Sequence, residues 1–407
     1  MEDFRRELLE TGGYRTHAKS DTLSTAMGKV CRVLLFLISV AGTTVAQGAN
    51  DGINGEVDRT DPNFVIVSLG FADPGRELFS CAGHTFIRLE CPTYKLDYCF
   101  SYEGEAVNDK ILAFFAGKLK MGMYAIPTAD YLAMYKAEGR GVRQYRLNMP
   151  PEAKQRLWKI MDDLVKKGAD LPYDYIKRGC AWSVLRCLME ALNPLQFEIG
   201  SWPERYRGHQ RAIIASALDD YPWTRFAIHA IVGADVDKDI PNIRKVVVPR
   251  DFLEFMRGVK IKGVPVLAGE AETLLPSTLE HSAPIITPMA AAILFLLLAV
   301  ANFFIRKSYL DWLFLGLQSA AGLFFCYLVC LSSLPATTWN WLIVPFNLLP
   351  LVFWRWRRYW AWPFAAVLVA WEALMIFYPH QLTDWAYVVI VAAYIVFYAK
   401  QGTGRCR

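Results

Sequence analysis

The sequence predicts an α+β domain that is exported from the cytoplasm, followed by an all-α bundle of transmembrane helices. Hydrophobic residues make up 54% of the 407 residues and charged residues only 20%, which is too apolar for an ordinary soluble protein. A secretory signal pattern stands near the N-terminus, and residues 288–407 are strongly apolar. The formal net charge of +5 is small for this length and no basic cluster appears, so nucleic acid is not an expected partner.

Residues 1–46 are predicted to be an N-terminal extension and signal peptide. Two basic residues precede an apolar run at 33–41, and small residues follow up to Ala46. This order is typical of a secretory signal with cleavage after Ala46. Because the basic part begins at Met27, we expect the true start at Met27. The alternative is an uncleaved signal anchor.

Residues 47–264 have the mixed composition of a globular domain. Alternating apolar and polar residues predict strands, whereas apolar residues at helical spacing predict helices. In chain order we expect strands at 64–72, 84–90 and 95–103, helices at 109–118 and 127–136, a strand at 142–149, and helices at 150–168, 180–192 and 211–218. In the second strand, His84, Phe86 and Arg88 should share one face, because side chains alternate along a strand.

The helix that begins at Cys180 carries the clearest chemical signal. Its buried face is marked by apolar residues at 3.6-residue spacing: Ala181, Val184, Leu185, Leu188 and Leu192. Pro194 ends it, because proline lacks the N–H and disfavours helical geometry in the preceding residue. A thiol at the first helical position feels the positive end of the helix dipole, which favours thiolate. The first turn also offers backbone donors to an oxyanion, so we predict that Cys180 is a nucleophile.

A cysteine nucleophile needs a base, and His84 is the predicted one. It follows Gly83 at the start of a strand, from which a side chain can project into a cleft; His209, His229 and His281 are rivals in the same domain. Each partner also has a structural alternative, a buried core cysteine for Cys180 and a satisfied strand histidine for His84.

Four further residues complete the predicted site. Asp97 lies in the next predicted strand and is the candidate for orienting His84, unless it is a solvated turn residue. Tyr173 and Tyr175 flank the nucleophile and can donate to an oxyanion, although core packing would also explain them. Arg88 shares the predicted face of His84 and is the fourth candidate for substrate or oxyanion support.

The exported domain contains five cysteines. If Cys180 stays free, two disulfides are possible among the other four, which are Cys81, Cys91, Cys99 and Cys187. The alternative is that several are reduced, buried thiols. No C-x-x-C or H-E-x-x-H pattern occurs and the six histidines do not cluster, so we expect neither a metal site nor a cofactor.

Residues 265–287 are predicted to be a linker and residues 288–407 a membrane domain. Apolar stretches predict about five transmembrane helices, at 288–305, 310–334, 341–354, 361–378 and 385–399. The third is short for a bilayer and contains Pro345 and Pro350. Lys and Arg occur in the alternate turns that would share one side, at 306–307, 355–358 and 400–407. By the positive-inside rule that side is cytoplasmic, so the domain at 47–264 lies outside.

The order of a histidine strand before a cysteine helix is that of permuted papain-like enzymes such as lecithin retinol acyltransferase. Beyond that order, the exported domain resembles the N-terminal periplasmic domain of the Lnb-type lipoprotein N-acyltransferases. The resemblance covers residues 64–257 and rests on these segments, in family order: GHTFIRL, FAGKLKMGMYAIPTADYLAMYKAEGRGVRQYRLNMPPEAKQRL, YDYIKRGCAWSVLR, YPWTRFAIHAIVGADVDKDI and VPRDFLEFM. Family members usually have Asn-Cys followed by a small hydroxyl residue where this chain has Gly179, Cys180 and Ala181.

The resemblance implies a permuted papain-like domain in the periplasm, held on the bacterial inner membrane by a multi-pass bundle. It also implies a ping-pong acyltransferase. Cys180 would take an acyl chain from a phospholipid as a thioester, with His84 moving the proton. The acceptor would be the α-amine of a diacylglyceryl-cysteine at the N-terminus of a lipoprotein. Two alternatives remain, a periplasmic cysteine hydrolase (amidase or lipase) and a catalytically silent, membrane-anchored binding module.

Overall fold

The computed structural model describes residues 58–403 except 60, 78–79, 106–109, 170, 173, 175, 177, 193–196, 201, 203, 281–282, 306–308, 338 and 378–383. The predicted signal peptide at 1–46, Tyr173, Tyr175, Pro194, His281 and the basic residues at 306–307 and 405–407 therefore lie outside the described residues. Residues from Pro62 onward form one unit, and all contacts reported below lie within it.

A seven-stranded antiparallel sheet positions the candidate residues of the exported domain. Its strands are β1 (Ile66–Ala72), β2 (His84–Cys91), β3 (Leu96–Gly104), β4 (Lys120–Pro127), β5 (Val142–Leu147), β6 (Leu171–Pro172) and, after a small second sheet of β7 (Phe197–Glu198), β8 (Lys260–Ile261) and β9 (Val264–Pro265), β10 (Leu267–Leu275). The spatial order is β10-β5-β1-β2-β3-β4-β6. The structure confirms the strands expected at β1, β2, β3 and β5, whereas β4 and β10 were not predicted.

Seven helices of this domain are described. They are α1 (Ile111–Phe115), α2 (Thr128–Ala137), α3 (Pro151–Lys167), α4 (Cys180–Leu192), α5 (Gln210–Ser216), α6 (Pro222–Ile231) and α7 (Pro249–Arg257). Helix α3 follows the sequence signals closely, with a proline at its first position and Gly168 at φ +71° just after its end. Such a backbone conformation costs glycine little, which is why glycine commonly ends helices.

Helices α2 and α4 both pack against the sheet near β2. On one face, Phe86 packs against Tyr131 and Tyr135 of α2. Ile87 points the opposite way and is fully buried. Helix α4 also packs against β2 and β3. The predicted alternation is confirmed, because Phe86 packs on Tyr131 of α2 and the bonding partners of His84 and Arg88 in turn bond to α2. Those partners are Ser101, which bonds to Tyr131, and Asp97, which bonds to Thr128.

The segment predicted as a linker, 265–287, differs from the expectation. Its first part forms β10, the edge strand that pairs antiparallel with β5 from Leu267↔Leu147 to Leu275↔Val142. The pairing contains two register shifts, and Gly269 has φ +67°. Such bulges break the two-residue alternation that reveals a strand in a sequence. Five of the nine strand residues are partly buried and four are exposed, so the apolar signal is weak as well.

The C-terminal part, residues 288–403, forms what we call the apolar bundle. Its helices are α8 (Pro288–Phe304), α9 (Leu310–Leu331), α10 (Leu349–Val352), α11 (Arg357–Phe377) and α12 (Ala386–Gly402). Helix α9 and the helical stretch Trp354–Phe377 are long and apolar enough to cross a membrane, whereas α8 and α12 are shorter apolar helices.

The third predicted transmembrane helix, at 341–354, is not a continuous helix. The chain there makes a short 3-10 turn at Trp341–Ile343, the four-residue α10 and a second 3-10 turn at Trp354–Trp356. Pro345 and Pro350 explain the interruptions, because each lacks an N–H for the helical ladder.

This broken segment is nevertheless held at both of its ends and in its middle. At one end Asn340 donates to the backbone oxygen of Ala230 (2.6 Å), and at the other Trp354 stacks on Phe397 with ring centroids 6.0 Å apart. Midway, the Gln318 side chain donates to the backbone oxygen of Pro345 (2.7 Å). Irregular backbone is tolerated inside an apolar environment only where it is paired in this way.

The sheet domain rests directly on one end of the apolar bundle. Phe226 of α6 stacks on Tyr387 of α12 with ring centroids 4.3 Å apart. The Ser333 N–H donates to the backbone oxygen of Ala116 beside α1 (3.0 Å). Both α1 and α6 therefore lie between the sheet and the bundle.

Candidate active site

Cys180 occupies the first position of α4, as the sequence predicts. The Ser183 N–H donates to the Gly179 oxygen (3.0 Å) and closes the first helical turn. The backbone N–H groups of the first turn have no partners within a helix. They lie beside the thiol, where they can receive a developing negative charge.

The thiol of Cys180 meets the imidazole of His84 at the start of β2. Burial raises the pKa of Cys180, but the charge and side-chain hydrogen bond of His84 and the backbone N–H of Thr85 outweigh it, so the pKa lies below its ordinary value. Burial by itself lowers the pKa of His84. The neighbouring Cys180 and Glu103 raise it by more than burial lowers it, so the pKa of His84 is above its ordinary value. The two groups thus stabilise each other as a thiolate–imidazolium pair.

Behind His84 lies a chain of polar side chains. The Nε2 atom of His84 is 2.7 Å from Ser101 Oγ and 3.3 Å from Glu103 Oε1. Ser101 donates to Glu103 (2.6 Å), and Tyr131 donates to the same Glu103 oxygen (2.9 Å). Tyr135 donates in turn to Tyr131 (3.0 Å). The Tyr131 hydroxyl also lies 2.8 Å from Ser101 Oγ, so the chain converges on Ser101 and Glu103.

These hydrogen bonds assign the tautomer of His84. Because Ser101 gives its proton to Glu103, its oxygen accepts from His84, and Nε2 therefore carries a hydrogen. In the neutral ring the basic nitrogen is then Nδ1. Glu103 and Ser101 orient the imidazole in the way that a catalytic base requires.

The pair opens into a cavity of about 680 Å³, a volume typical of small-molecule sites. Its charged lining residues are Glu77, Glu103, Glu105, Glu138 and Arg140. Arg140 is buried, donates to the Asp73 backbone oxygen (2.7 Å) and to Glu138 (3.0 Å), and lies over the Tyr135 ring. The rest of the lining is largely apolar. It includes residues of α1, α5 and α6, the residues before α7, and Tyr102, Met121, Met134 and Ile176.

Asp97 is not the group that orients His84, so that prediction is wrong. Its carboxylate accepts from Arg88 at 2.7 and 2.8 Å and from Thr128 at 2.5 Å. Asp97 pairs with Glu90 in the sheet, six residues along β2 from His84. At about 3.4 Å per residue, this separation is roughly 20 Å.

Arg88 is likewise not placed as a support for substrate or oxyanion. Besides Asp97 it contacts Glu90 (3.0 Å), and it is not among the described residues that line the cavity. Its position four residues beyond His84 puts it on the correct face but at the other end of the strand.

Glu103 and Ser101 were missed, although the sequence contained a signal for them. β2 and β3 form a hairpin around the turn at Pro92–Tyr94, with Ile87 opposite Phe100. Continuing that antiparallel register by three residues places Glu103 opposite His84. Counting outward from the turn, instead of choosing the first acidic residue in the next strand, identifies the carboxylate.

Two of the rival histidines, His209 and His229, do not line this cavity, and the third, His281, lies outside the described residues. His229 of α6 is buried, and that burial together with Arg211 and Arg225 lowers its pKa to about 3. Neither His229 nor His209 is among the described residues that line the cavity.

The five cysteines of the domain are all described and all free, so the two possible disulfides are not formed. Burial raises the pKa of Cys81 and Cys187 to about 11 and that of Cys99 to about 12. Of the described thiols whose pKa is shifted, Cys180 alone has a lowered pKa. The described part of the chain also contains no group of three His, Cys, Asp or Glu side chains suited to a metal ion.

Comparison with known families gives one match. Residues 57–208 match the family model of the Lnb N-terminal periplasmic domain, a range that contains β1 to β7 and α1 to α4. It includes His84, Ser101, Glu103 and Cys180. No curated protein and no solved structure matches the chain.

The family match covers less than half of the chain and does not reach the apolar bundle. Together with the two helices of membrane-spanning length, it supports a membrane-associated protein with an enzyme-like periplasmic domain. The matched range is thus similar to the Lnb N-terminal periplasmic domain, which supports an Lnb-like role in lipoprotein processing.

Proposed function

We propose that this protein is a membrane-bound lipoprotein N-acyltransferase. The observation that carries the proposal is the Cys180–His84 pair, with its thiol pKa lowered, at the wall of a largely apolar cavity. A thiolate beside an imidazolium is the arrangement that cysteine acyl-transfer enzymes use. The match to an Lnb periplasmic domain across this site supports lipoprotein as the acceptor.

In the first half-reaction the Cys180 thiolate attacks the carbonyl carbon of a phospholipid ester. The carbon–sulfur bond forms, and the backbone N–H groups at the start of α4 receive the negative charge on the oxygen. As the ester carbon–oxygen bond breaks, His84 gives its proton to the departing glycerol oxygen. The products are a lysophospholipid and an acyl thioester on Cys180.

In the second half-reaction the α-amine of a diacylglyceryl-cysteine attacks the thioester. The carbon–nitrogen bond forms and the carbon–sulfur bond breaks. Neutral His84 takes the proton that the nitrogen loses, and Cys180 leaves as the thiolate. Glu103 stabilises the resulting imidazolium through its contacts with Nε2 and Ser101, so the pair returns to its starting state.

The placement of the domain suits lipid substrates. Its helices α1 and α6 rest on the apolar bundle, which keeps the cavity close to the membrane surface. We propose that the bundle is multi-pass in the bacterial inner membrane, with four helices and the broken segment at 341–356 as five passes. The phospholipid donor and the lipoprotein acceptor would both approach within the membrane plane.

The deciding experiment measures intact masses of lipoprotein N-terminal peptides from cells that carry wild type, Cys180→Ala or His84→Ala. A third acyl chain should appear with wild type and disappear in both variants. Cys187→Ala is the matched control, because Cys187 lies on the same helix, is buried and has a raised pKa. Acylation that persists without Cys180 would disprove the assigned nucleophile. Wild type that adds no chain, but releases fatty acid, would point to a hydrolase.

A further inference from the structure

The charged residues that line the catalytic cavity come from one side of it, although Tyr102, Met121 and Met134 line that side as well. Its charged residues come from the sheet, from α2 and from the loops beside them. The helices α1, α5 and α6 contribute aliphatic and aromatic side chains instead: Ile111, Phe114, Ile214, Ile228 and Ile231. We call these five residues the apolar wall.

The apolar wall is also the part of the cavity nearest to the apolar bundle. Ile231 lines the cavity and at the same time belongs to the bundle's buried core. Next to Phe114, Phe115 packs edge-to-face on Phe324 of α9 with centroids 5.4 Å apart. Tyr327 of α9 donates to the Leu112 backbone oxygen (2.6 Å). One layer of helices thus separates the cavity from the bundle.

We infer that the apolar wall is a binding site for one fatty acyl chain, and that Ile231 and Phe114 limit the length of chain it accepts. This inference rests on the proposed acyl transfer through Cys180. The inference assigns a position to the acyl chain. The chain lies against the apolar wall while its carbonyl group is at the Cys180 sulfur, first as the donor ester and then as the thioester.

The chemistry of the apolar wall selects a hydrocarbon over a peptide. All five side chains are apolar, so a polar backbone placed against them would lose its hydrogen bonds to water without replacement. A hydrocarbon loses nothing there and gains roughly fourfold in affinity for each buried methylene. The cavity volume of about 680 Å³ corresponds to roughly 20 groups of the size of a water molecule, which is room for a long chain and its ester.

The test uses the full chain in detergent with p-nitrophenyl esters from acetyl to palmitoyl, which need neither phospholipid nor lipoprotein. The rate of Cys180 acylation is followed by p-nitrophenol release and by intact mass. Wild type should favour long chains. Ile231→Trp fills part of the pocket and should lower the palmitoyl rate about tenfold or more relative to the acetyl rate, as loss of methylene contacts in enzyme pockets does. Comparing variant with wild type for each ester cancels partition into detergent.

Phe226→Leu is the matched control. It lies on α6 with Ile231 but stacks on Tyr387 and does not line the cavity, so the chain-length profile should stay unchanged. If Ile231→Trp does not fold, Ile231→Ala provides the opposite change and should extend the profile to longer chains.

The outcomes separate the inference from the proposed function. If no ester acylates Cys180, the proposed function fails and the chain site fails with it. If Cys180 is acylated at rates that do not depend on chain length, the chain site is overturned while thiol acyl transfer stands. The same holds if Ile231→Trp lowers the acylation rates of all esters by the same factor.

Discussion

The two ends of the β2–β3 hairpin carry similar polar residues and use them differently. Near the turn, Arg88 faces Asp97, and the pair is joined by Glu90 and Thr128. At the open end, His84 faces Ser101 and Glu103, and Cys180 approaches from α4. Each end places a basic side chain next to a carboxylate across neighbouring strands.

The two clusters differ in whether one of their side chains can still gain or lose a proton. Burial raises the pKa of Asp97, but hydrogen bonds from Arg88 and Thr128 outweigh it and hold the pKa below its ordinary value. Arg88 stays charged at any physiological pH, so this end holds a fixed ion pair. At the open end His84 can gain or lose a proton, and it lines a cavity. The same facing geometry therefore gives stability at one end and reactivity at the other.

The largest expected effect is the difference in reactivity between two thiols of α4, Cys180 at its start and Cys187 in its interior. At pH 7 a thiol with a pKa of about 11, as in Cys187, is thiolate in only about one molecule in 10⁴. Cys180 has a lowered pKa, so its larger thiolate fraction should make iodoacetamide alkylate it at least about 10²-fold faster than Cys187. The burial of Cys187 slows its alkylation further. Peptide mass spectrometry over time measures both rates in the native chain.

The pH dependence of this alkylation has a defined sign. Because the pKa of Cys180 is lowered, its reactivity should rise and level off at a pH below that at which ordinary thiols ionise. In His84→Ala the lowering charge is absent and the rise should move to higher pH. If Cys180 titrates like an ordinary thiol in wild type, the ion pair does not exist.

A smaller effect is expected for Glu103→Gln, which tests the open end of the hairpin directly. Loss of the carboxylate removes the group that stabilises the imidazolium, so kcat should fall on the order of 10²-fold, at the low end of what general acid–base catalysis contributes. Glu103 raises the pKa of both His84 and Cys180. Both limbs of the pH–rate profile should therefore shift to lower pH.

A merely structural role for Glu103 would lower the rate without moving the limbs. Glu105→Gln is the control, because Glu105 also lines the cavity but accepts from the Lys120 N–H instead (3.1 Å). Its pH limbs should stay in place. Unshifted limbs in Glu103→Gln would remove Glu103 as the positioning residue.

Local signals in the sequence were sufficient for the parts of the site that lie within one element. The apolar period and the Gly179–Cys180 start predicted α4 with its observed bounds, and alternation placed His84 on its correct face. The partner of His84 depends on strand register, which is known only once the turn at Pro92–Tyr94 is located. Asp97 was chosen without that register, and this explains the error.

Non-local pairing explains the remaining differences. β10 pairs with β5, which lies more than a hundred residues earlier in the chain. The irregular sequence of β10 contains no local signal that indicates this pairing. The broken segment at 341–356 has the composition of a membrane helix but contains two prolines. Its path is set by non-local contacts, such as those of Pro345 with Gln318 of α9 and of Asn340 with Ala230 of α6, which a hydropathy average over neighbouring residues does not include.

The smallest effect on catalysis is expected for Asp97→Asn, which tests the turn end of the hairpin. The change removes one side of the Arg88 ion pair. The Asp97 side chain is 42% exposed, so solvent screening reduces the loss to about 1–2 kcal/mol in the free energy of unfolding. Acylation of Cys180 should stay within about twofold of wild type, because the pair lies roughly 20 Å from His84.

The pH dependence of that stability loss distinguishes the ion pair from a general packing defect. The pKa of Asp97 is lowered in the folded state, so its contribution is present above the unfolded pKa of about 3.9 and is lost as pH falls through the folded pKa. Thermal unfolding of the full chain should show a gap between wild type and Asp97→Asn at pH 7 that closes in acid. A packing defect would keep the gap at every pH. A loss of acylation as large as that of Glu103→Gln would mean that both ends of the hairpin act in catalysis, and the division between them would be wrong.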